Sequence, residues 1–133
     1  MFSSIGAIRE EVKAILEPGL PNDWTVKQYL TEAVESLKPV VYLEFTTFSS
    51  SSAGQPLGRG YAEAGFNVWV TDPKTSDQGS EDAVDDHVIR ILGTIDQHSD
   101  IYWESAEKDR LSTGPLAWRV KAFAITDIGS TEE

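Results

Sequence analysis

Two segments of the chain carry apolar residues at the spacing of an amphipathic helix. The first stripe consists of Ile5, Ile8, Val12, Ile15 and Leu16. Ser3 or Ser4 is suited to cap this helix, and Pro18 ends it because proline cannot continue the hydrogen-bond ladder. The second stripe consists of Val84, Val88, Ile91, Leu92 and Ile95. Ser80 is its predicted N-cap, and the opposite, acidic face is predicted to be solvated.

Four segments alternate with the period of two that is typical of β-strands, over residues 40–48, 61–71, 101–106 and 116–127. Residues 107–114 are predicted to form a polar turn. Residues 24–30 also alternate and are rich in strand-forming residues, so we favour a strand followed by a link to residue 38. A helix remains the alternative there, because apolar residues between Val26 and Leu37 fit a helical face as well.

The predicted order is helix, strand, strand, strand, helix, strand, strand. Consecutive strands with short connections usually pair antiparallel, so we expect an α+β fold with two layers. Its mainly antiparallel sheet has about four to five strands, and two helices cover one face. The chain, residues 1–133, is long enough for one domain with one core. Loops over residues 49–60 and 72–80 are predicted to be flexible, and residues 128–133 to be a frayed tail.

Charge and composition exclude several classes of function. Eleven basic and 22 acidic residues give a net charge of −11, which disfavours binding of DNA through a basic face. The absence of cysteine excludes disulfides, thiolate catalysis and cysteine-based zinc sites, and favours a cytosolic origin. No apolar stretch is long enough to span a membrane, so we expect no membrane partner.

No group of residues predicts catalysis. His87 follows Asp85 and Asp86, but neighbouring residues of a helix point about 100° apart and do not converge on one ion. The serines at 49–52 lack a nucleophile elbow, and the glycines at 54–60 lack the lysine of a phosphate loop. We therefore expect no enzymatic activity, no cofactor and no metal.

Apolar residues on the polar side of the strands are the candidate contact residues. Trp69 falls on the face opposite the apolar residues of its strand. Phe123 and Ile125 share a face with an arginine and a lysine. A small domain usually buries such a face against another molecule, so self-association is predicted. The loop over residues 49–60 is expected to become ordered against a partner, through Gln55, Pro56, Leu57 and Arg59.

Five short segments occur in an order that is familiar from one protein family. They are Leu20-Pro21-Asn22-Asp23-Trp24-Thr25-Val26, Lys38-Pro39-Val40-Val41, Pro56-Leu57-Gly58, Ala83-Val84-Asp85-Asp86 and Trp103-Glu104-Ser105-Ala106. With them, residues 3–126 resemble the tail terminator proteins of long-tailed, siphovirus-type actinobacterial phages. The matching residues are structural and form no catalytic signature.

The resemblance implies an α+β subunit that assembles as a hexameric ring on the head-proximal end of the phage tail tube. The ring ends tube polymerisation and forms the joint to the head. The implied partners are further copies of the chain in a homohexamer, the tail tube protein and a head-completion or neck protein. DNA passes through the lumen without specific binding, which suits the acidic charge. Such a protein is assembled in the cytoplasm of the bacterial host and becomes part of the virion.

Two other functions fit the same sequence. Head-completion subunits and neck adaptor-ring subunits are similar in size to tail terminators and belong to the same class of virion protein. From another class, a small non-catalytic binding domain of a bacterial cell is the alternative.

Overall fold

The computed structural model describes residues 2–20, 24–27, 40–52, 54–71, 78–110 and 116–127. The elements in chain order are α1 (Ile5–Leu16), β1 (Thr25–Lys27), β2 (Val40–Ser49), β3 (Ser51–Ser52), β4 (Gln55–Pro56), β5 (Tyr61–Thr71), α2 (Gln78–Asp96), β6 (Ile101–Arg110) and β7 (Leu116–Asp127). A short 3-10 turn, Glu17–Gly19, follows α1. The predicted α+β class is confirmed. Among these residues, no helix combines the length and the apolar character that crossing a membrane requires.

Five strands form the main sheet in the order β1-β2-β5-β7-β6. β5 lies at its centre and pairs antiparallel with β2 and β7, and β6 pairs antiparallel with β7. β3 and β4 form a separate two-stranded hairpin, which the predicted order did not contain.

The pairing of β1 with β2 is parallel, with Val26 opposite Val41, and the expected antiparallel arrangement is wrong for this pair. A tight turn cannot join parallel strands, because the chain must return to the starting end of the sheet. Residues 28–39 make this connection and lie outside the described residues, as does the alternative helix that was considered there. The strand predicted for residues 24–30 is present at Thr25–Lys27.

The two helices begin differently from each other. The Ser4 side chain accepts a hydrogen bond from the Ala7 amide at 3.0 Å, so Ser4 is the cap of α1, as expected. α2 begins at Gln78, so Ser80 lies inside its first turn and is not the N-cap. Of the predicted loop over residues 72–80, the last three residues are therefore helical.

Both helices pack their apolar stripes on the same face of the main sheet. The core cluster comprises Ile8, Val12, Leu16, Val26, Val41, Leu43, Ala64, Phe66, Val68, Val70, Val84, Val88, Ile91, Ile95, Ile101, Val120, Ala122 and Ala124. Phe66 lies in the middle of the central strand and packs against Phe45, with ring centroids 4.9 Å apart. The period of two in the strands therefore directs one set of side chains to the helices and the other set away from them.

β6 is longer than predicted. It continues through residues 107–110 because its backbone pairs with β7, where Glu107 lies opposite Arg119. A polar sequence is compatible with an edge strand, since one side of such a strand has no neighbouring strand in the sheet. The predicted turn over residues 107–114 is therefore wrong for its first four residues, and residues 111–115 lie outside the described part of the chain.

The acidic face of α2 is partly used inside the subunit. The Trp118 indole N–H donates a hydrogen bond to Asp85 at 2.6 Å, which joins α2 to β7. His87 is half-buried and packs against Trp24 edge-to-face at 4.8 Å between ring centroids. The acidic face, predicted to be solvated, is therefore only partly so, because Trp118 of β7 and Trp24 before β1 lie against Asp85 and His87.

Candidate functional site

The face of the main sheet that points away from the helices is called the outer face here. Its side chains alternate with the core residues and include Tyr42, Glu44, Asn67, Trp69, Tyr102, Arg119, Lys121, Phe123 and Ile125. Three of the predicted contact residues, Trp69, Phe123 and Ile125, lie on this face. Their role in contacts between subunits stays a prediction.

At one end of the outer face, Trp69 is held by its own subunit. Its indole N–H donates to the Glu44 carboxylate at 2.9 Å, and Asn67 donates to the same oxygen at 3.0 Å. The ring stacks on Tyr42 at 6.2 Å, and the Arg119 guanidinium lies 5.9 Å from its centre. Part of the function of Trp69 is therefore structural, which its position in the sequence did not indicate.

Tyr42 makes the stability of the protein depend on pH in the alkaline range. Burial raises the pKa of Tyr42 to about 12, and the neighbouring Glu44 carboxylate contributes in the same direction. The folded state thus favours the neutral phenol. This contribution to stability is complete below the ordinary tyrosine pKa of about 10 and is lost as the pH rises through about 12, because the unfolded chain ionises first.

We expect Tyr42→Phe to remove a component near pH 12 from the alkaline titration of tyrosine absorbance. Urea unfolding of this variant should lose less stability between pH about 10 and about 12 than the unaltered protein does. Equal losses in both proteins would contradict the assignment.

The other end of the outer face is more exposed. Phe123 stacks on Tyr102 at 5.3 Å, and the Lys121 ammonium lies 5.8 Å from the Phe123 ring centre. Phe123 also lies opposite Gly65, where a Cβ atom would come within 3.5 Å of its ring. The ring therefore covers the glycine backbone with one side, while Tyr102 beside it is 37% exposed. Ile125 continues the row and pairs with Glu63.

Exposed ion pairs accompany the aromatic residues on β6 and β7. Arg119 approaches Glu107 at 3.3 Å, and Lys121 approaches Glu104 at 3.9 Å. Solvent-exposed pairs of this kind contribute only about 0–1 kcal/mol to stability. A partner that covers this face would obtain most of its binding free energy by burying the aromatic side chains of the face, because the charged side chains already have partners of opposite sign.

A chain of hydroxyl groups connects the hairpin to the outer face. The Tyr102 hydroxyl donates to the Glu63 carboxylate, which is only 8% exposed. The Ser52 hydroxyl lies 2.7 Å from the Tyr102 oxygen. Because the Tyr102 proton is used in the bond to Glu63, Ser52 is the donor in this second bond. These three residues were not singled out in the sequence, where 50 positions separate Ser52 from Tyr102.

Residues 50–60, with residue 53 outside the described part, form what is called the arm here. The Leu57 amide donates to the Ser50 carbonyl at 2.9 Å and closes the hairpin. Gly54 and Gly60 have φ angles of 80° and 87°, which side chains other than that of glycine rarely permit. The predicted contacts Gln55, Pro56 and Arg59 are exposed on the arm, and Leu57 is half-buried. Regular strands thus occupy part of the predicted loop, and its flexibility stays a prediction.

Within the part of the chain that the structure describes, the arm lies beside the Tyr102 end of the outer face. The Ser52 bond places the arm beside Tyr102 and hence beside Phe123. Trp69 lies four positions along β5 from Gly65, about 13 Å away at the usual rise of a strand. The candidate interaction surface is therefore the Phe123 end of the outer face together with the arm.

The described residues contain no cluster of three or more histidine, aspartate or glutamate side chains that is suited to hold a metal ion. No protein-family model matches this chain, and no curated protein is similar to it in sequence.

Proposed function

We propose that this chain is a structural subunit of a phage tail, which forms a ring on the head-proximal end of the tail tube. The ring ends tube polymerisation and provides the joint to the head. The observation that carries the proposal is the second aromatic surface of the sheet. One face is buried against the helices, and the opposite face presents Tyr102 and Phe123 next to the arm.

A ring is the assembly that this arrangement favours. The arm and the aromatic row are different surfaces, so a contact between them is heterologous, with unlike patches meeting. Heterologous contacts close into a ring when a whole number of equal rotations between neighbouring subunits adds up to one full turn. A homohexamer meets this condition, and its subunits would present the same end to the tube and the same end to the neck protein.

The charge of the chain is compatible with a ring through which DNA passes. Its net charge of −11 removes the attraction that counterion release gives to basic proteins. The lumen would therefore admit DNA without retaining it. The same property disfavours a DNA-binding function for a cellular domain of this sequence.

The direct test is removal of the gene from the phage, followed by electron microscopy of the lysate. We expect tubes that exceed the normal tail length, because nothing covers the growing end, and DNA-filled heads beside unattached tails. Restoring the gene in trans should restore the normal length. Tails of normal length that fail to join heads would instead support a head-completion or neck adaptor subunit. Loss of DNA packaging with heads and tails otherwise intact would contradict both functions.

The purified protein offers a second test. With isolated tail tubes we expect it to bind at tube ends and to assemble at six times the subunit mass of 14.7 kDa. Analytical ultracentrifugation measures the mass, and gold-labelled protein shows the position on the tube. A monomer or dimer that ignores tube ends would favour the small cellular binding domain.

A further inference from the structure

The arm is a small unit with a hydrogen-bond ladder of its own. β3 and β4 pair with each other and form their own sheet, so their ladder is independent of β2 and β5. The bond from Leu57 to Ser50 lies within the arm as well. Gly60, with its φ of 87°, stands directly before β5 and can absorb a change in chain direction.

Polar groups join the arm to the main sheet at more than one place. The Ser51 amide donates to the Ser49 hydroxyl at the end of β2, at 3.2 Å. Ser52 donates to Tyr102, and Tyr102 donates to the nearly buried Glu63 carboxylate. A buried carboxylate without a hydrogen-bond donor is costly, so the Tyr102 hydroxyl is expected to stay bonded to Glu63 when the arm moves away. Tyr102 and Glu63 are called the receptor here. The structure thus contains both halves of a complementary contact, one on the arm and one on the sheet.

We propose that in the assembled ring the arm of each subunit lies on the outer face of its neighbour, where Ser52 donates to the partner subunit's Tyr102. The inference rests on the proposed function, since it names the contact that closes the ring. The segment that binds the outer face is the arm of a second copy of this chain, because the arm already fits this surface within one subunit. Exchanging identical segments between copies is inexpensive, as each bond that is broken is formed again.

Such an exchange would also give assembly a direction. An arm on one side of a subunit and a receptor on the outer face are unlike surfaces, so each exchange adds a neighbour in the same sense. In the free subunit the arm occupies its own receptor. The receptor becomes available to a neighbour only when its own arm moves away.

The first test removes the hydroxyl groups. Ser52→Ala and Tyr102→Phe should each raise the rate of assembly by about three- to tenfold, because the arm leaves its own subunit more easily without this hydrogen bond. The concentration at half-assembly should change little, because the bond is present both in the free subunit and in the ring. The double variant should assemble little faster than the faster single variant, because both substitutions act on one contact. Tyr42→Phe is the matched control, since it removes a hydroxyl at the other end of the same face. Equal effects of the control and the test variants would overturn the proposal.

The second test distinguishes contact within a subunit from contact between subunits. The chain has no cysteine, so Ser52→Cys can carry a benzophenone maleimide at one defined position. Labelled proteins with natural and heavy nitrogen isotopes are mixed, assembled on tail tubes, irradiated and digested. We expect cross-linked peptides that join an arm of one isotope to β6 or β7 of the other. The same label on Thr94→Cys in α2 should give no cross-link to β6 of another subunit.

The outcomes separate the two proposals. Rings in which every cross-link joins peptides of the same isotope would overturn the exchange and leave the ring function standing. Protein that stays monomeric with tubes and cross-links only within itself would overturn the ring function and the exchange together.

Discussion

Replacing Phe123 with aspartate is expected to prevent ring assembly at concentrations where the unaltered protein assembles, while the monomer stays folded. Phe123 lies on the outer face beside the exposed Tyr102 ring and contributes little to the core between sheet and helices. An aspartate there removes aromatic surface and places a carboxylate near Glu63. Aromatic residues at the centre of an interface typically contribute 2 kcal/mol or more, so half-assembly should need an about 30-fold higher concentration or more.

Ile89→Asp is the matched control for this experiment. Ile89 is 66% exposed on α2, in the opposite layer of the subunit, and receives the same chemical change. It should leave assembly unchanged. Sedimentation measures assembly, and circular dichroism verifies the fold of both variants. A Phe123→Asp protein that unfolds would show that Phe123 is a core residue, and one that assembles normally would show that the outer face is not a contact.

Trp69→Asp is expected to destabilise the monomer, because Trp69 lies at the end of the outer face where its own subunit holds it. Trp69 donates to Glu44 and stacks on Tyr42, so the variant loses these contacts and gains a carboxylate next to Glu44. We expect a loss of about 1–3 kcal/mol in the free energy of unfolding. Comparing the two variants in urea separates the structural contribution of each aromatic residue from its contribution to assembly.

The largest effect on stability is expected for Phe66→Ala. Phe66 is 1% exposed and lies between the central strand and the helices, in contact with Phe45. Truncating a buried phenylalanine typically costs about 3–5 kcal/mol, through the lost transfer free energy and the remaining cavity. Small domains are stable by only about 5–15 kcal/mol, so much of the stability should disappear. Urea unfolding followed by tryptophan fluorescence measures the change.

Phe48→Ala is the matched control for Phe66→Ala, because it makes the same change at an exposed position. Phe48 is 61% exposed near the end of β2, so its truncation should cost about 0.5 kcal/mol or less. Equal losses at the two positions would contradict the assignment of the helix-covered face as the core.

Elements with a strong local period were predicted well. β5 has the predicted bounds, Tyr61–Thr71, and α1 has its predicted cap and its predicted buried stripe. Burial on one face imposes these periods directly on the order of the residues. The direction of β1 was not predicted, because alternation is the same in parallel and antiparallel strands. The last four residues of β6 were missed, since pairing with β7 prevails over their polar composition.

The candidate surface was predicted only as a set of side chains. The period of two assigned Trp69, Phe123 and Ile125 to the face away from the apolar residues, and the structure agrees. The period of two did not distinguish Trp69, which is held by Glu44 and Tyr42, from Phe123, which lies beside the more exposed Tyr102. That distinction depends on neighbours in other strands, and neighbouring strands are brought together only by the register of the sheet.

The sequence by itself determined the fold class, the helix-covered face of the strands and the acidic, cysteine-free character of the chain, because each follows from composition or from a short period. Tertiary structure alone decided that Asp85 and His87 pack within the subunit and that the arm meets the sheet at Ser52, Tyr102 and Glu63. Glu63 and Tyr102 are 39 positions apart along the chain. Contacts across such separations leave no local pattern, since they arise only when strands, helices and turns are assembled around one core.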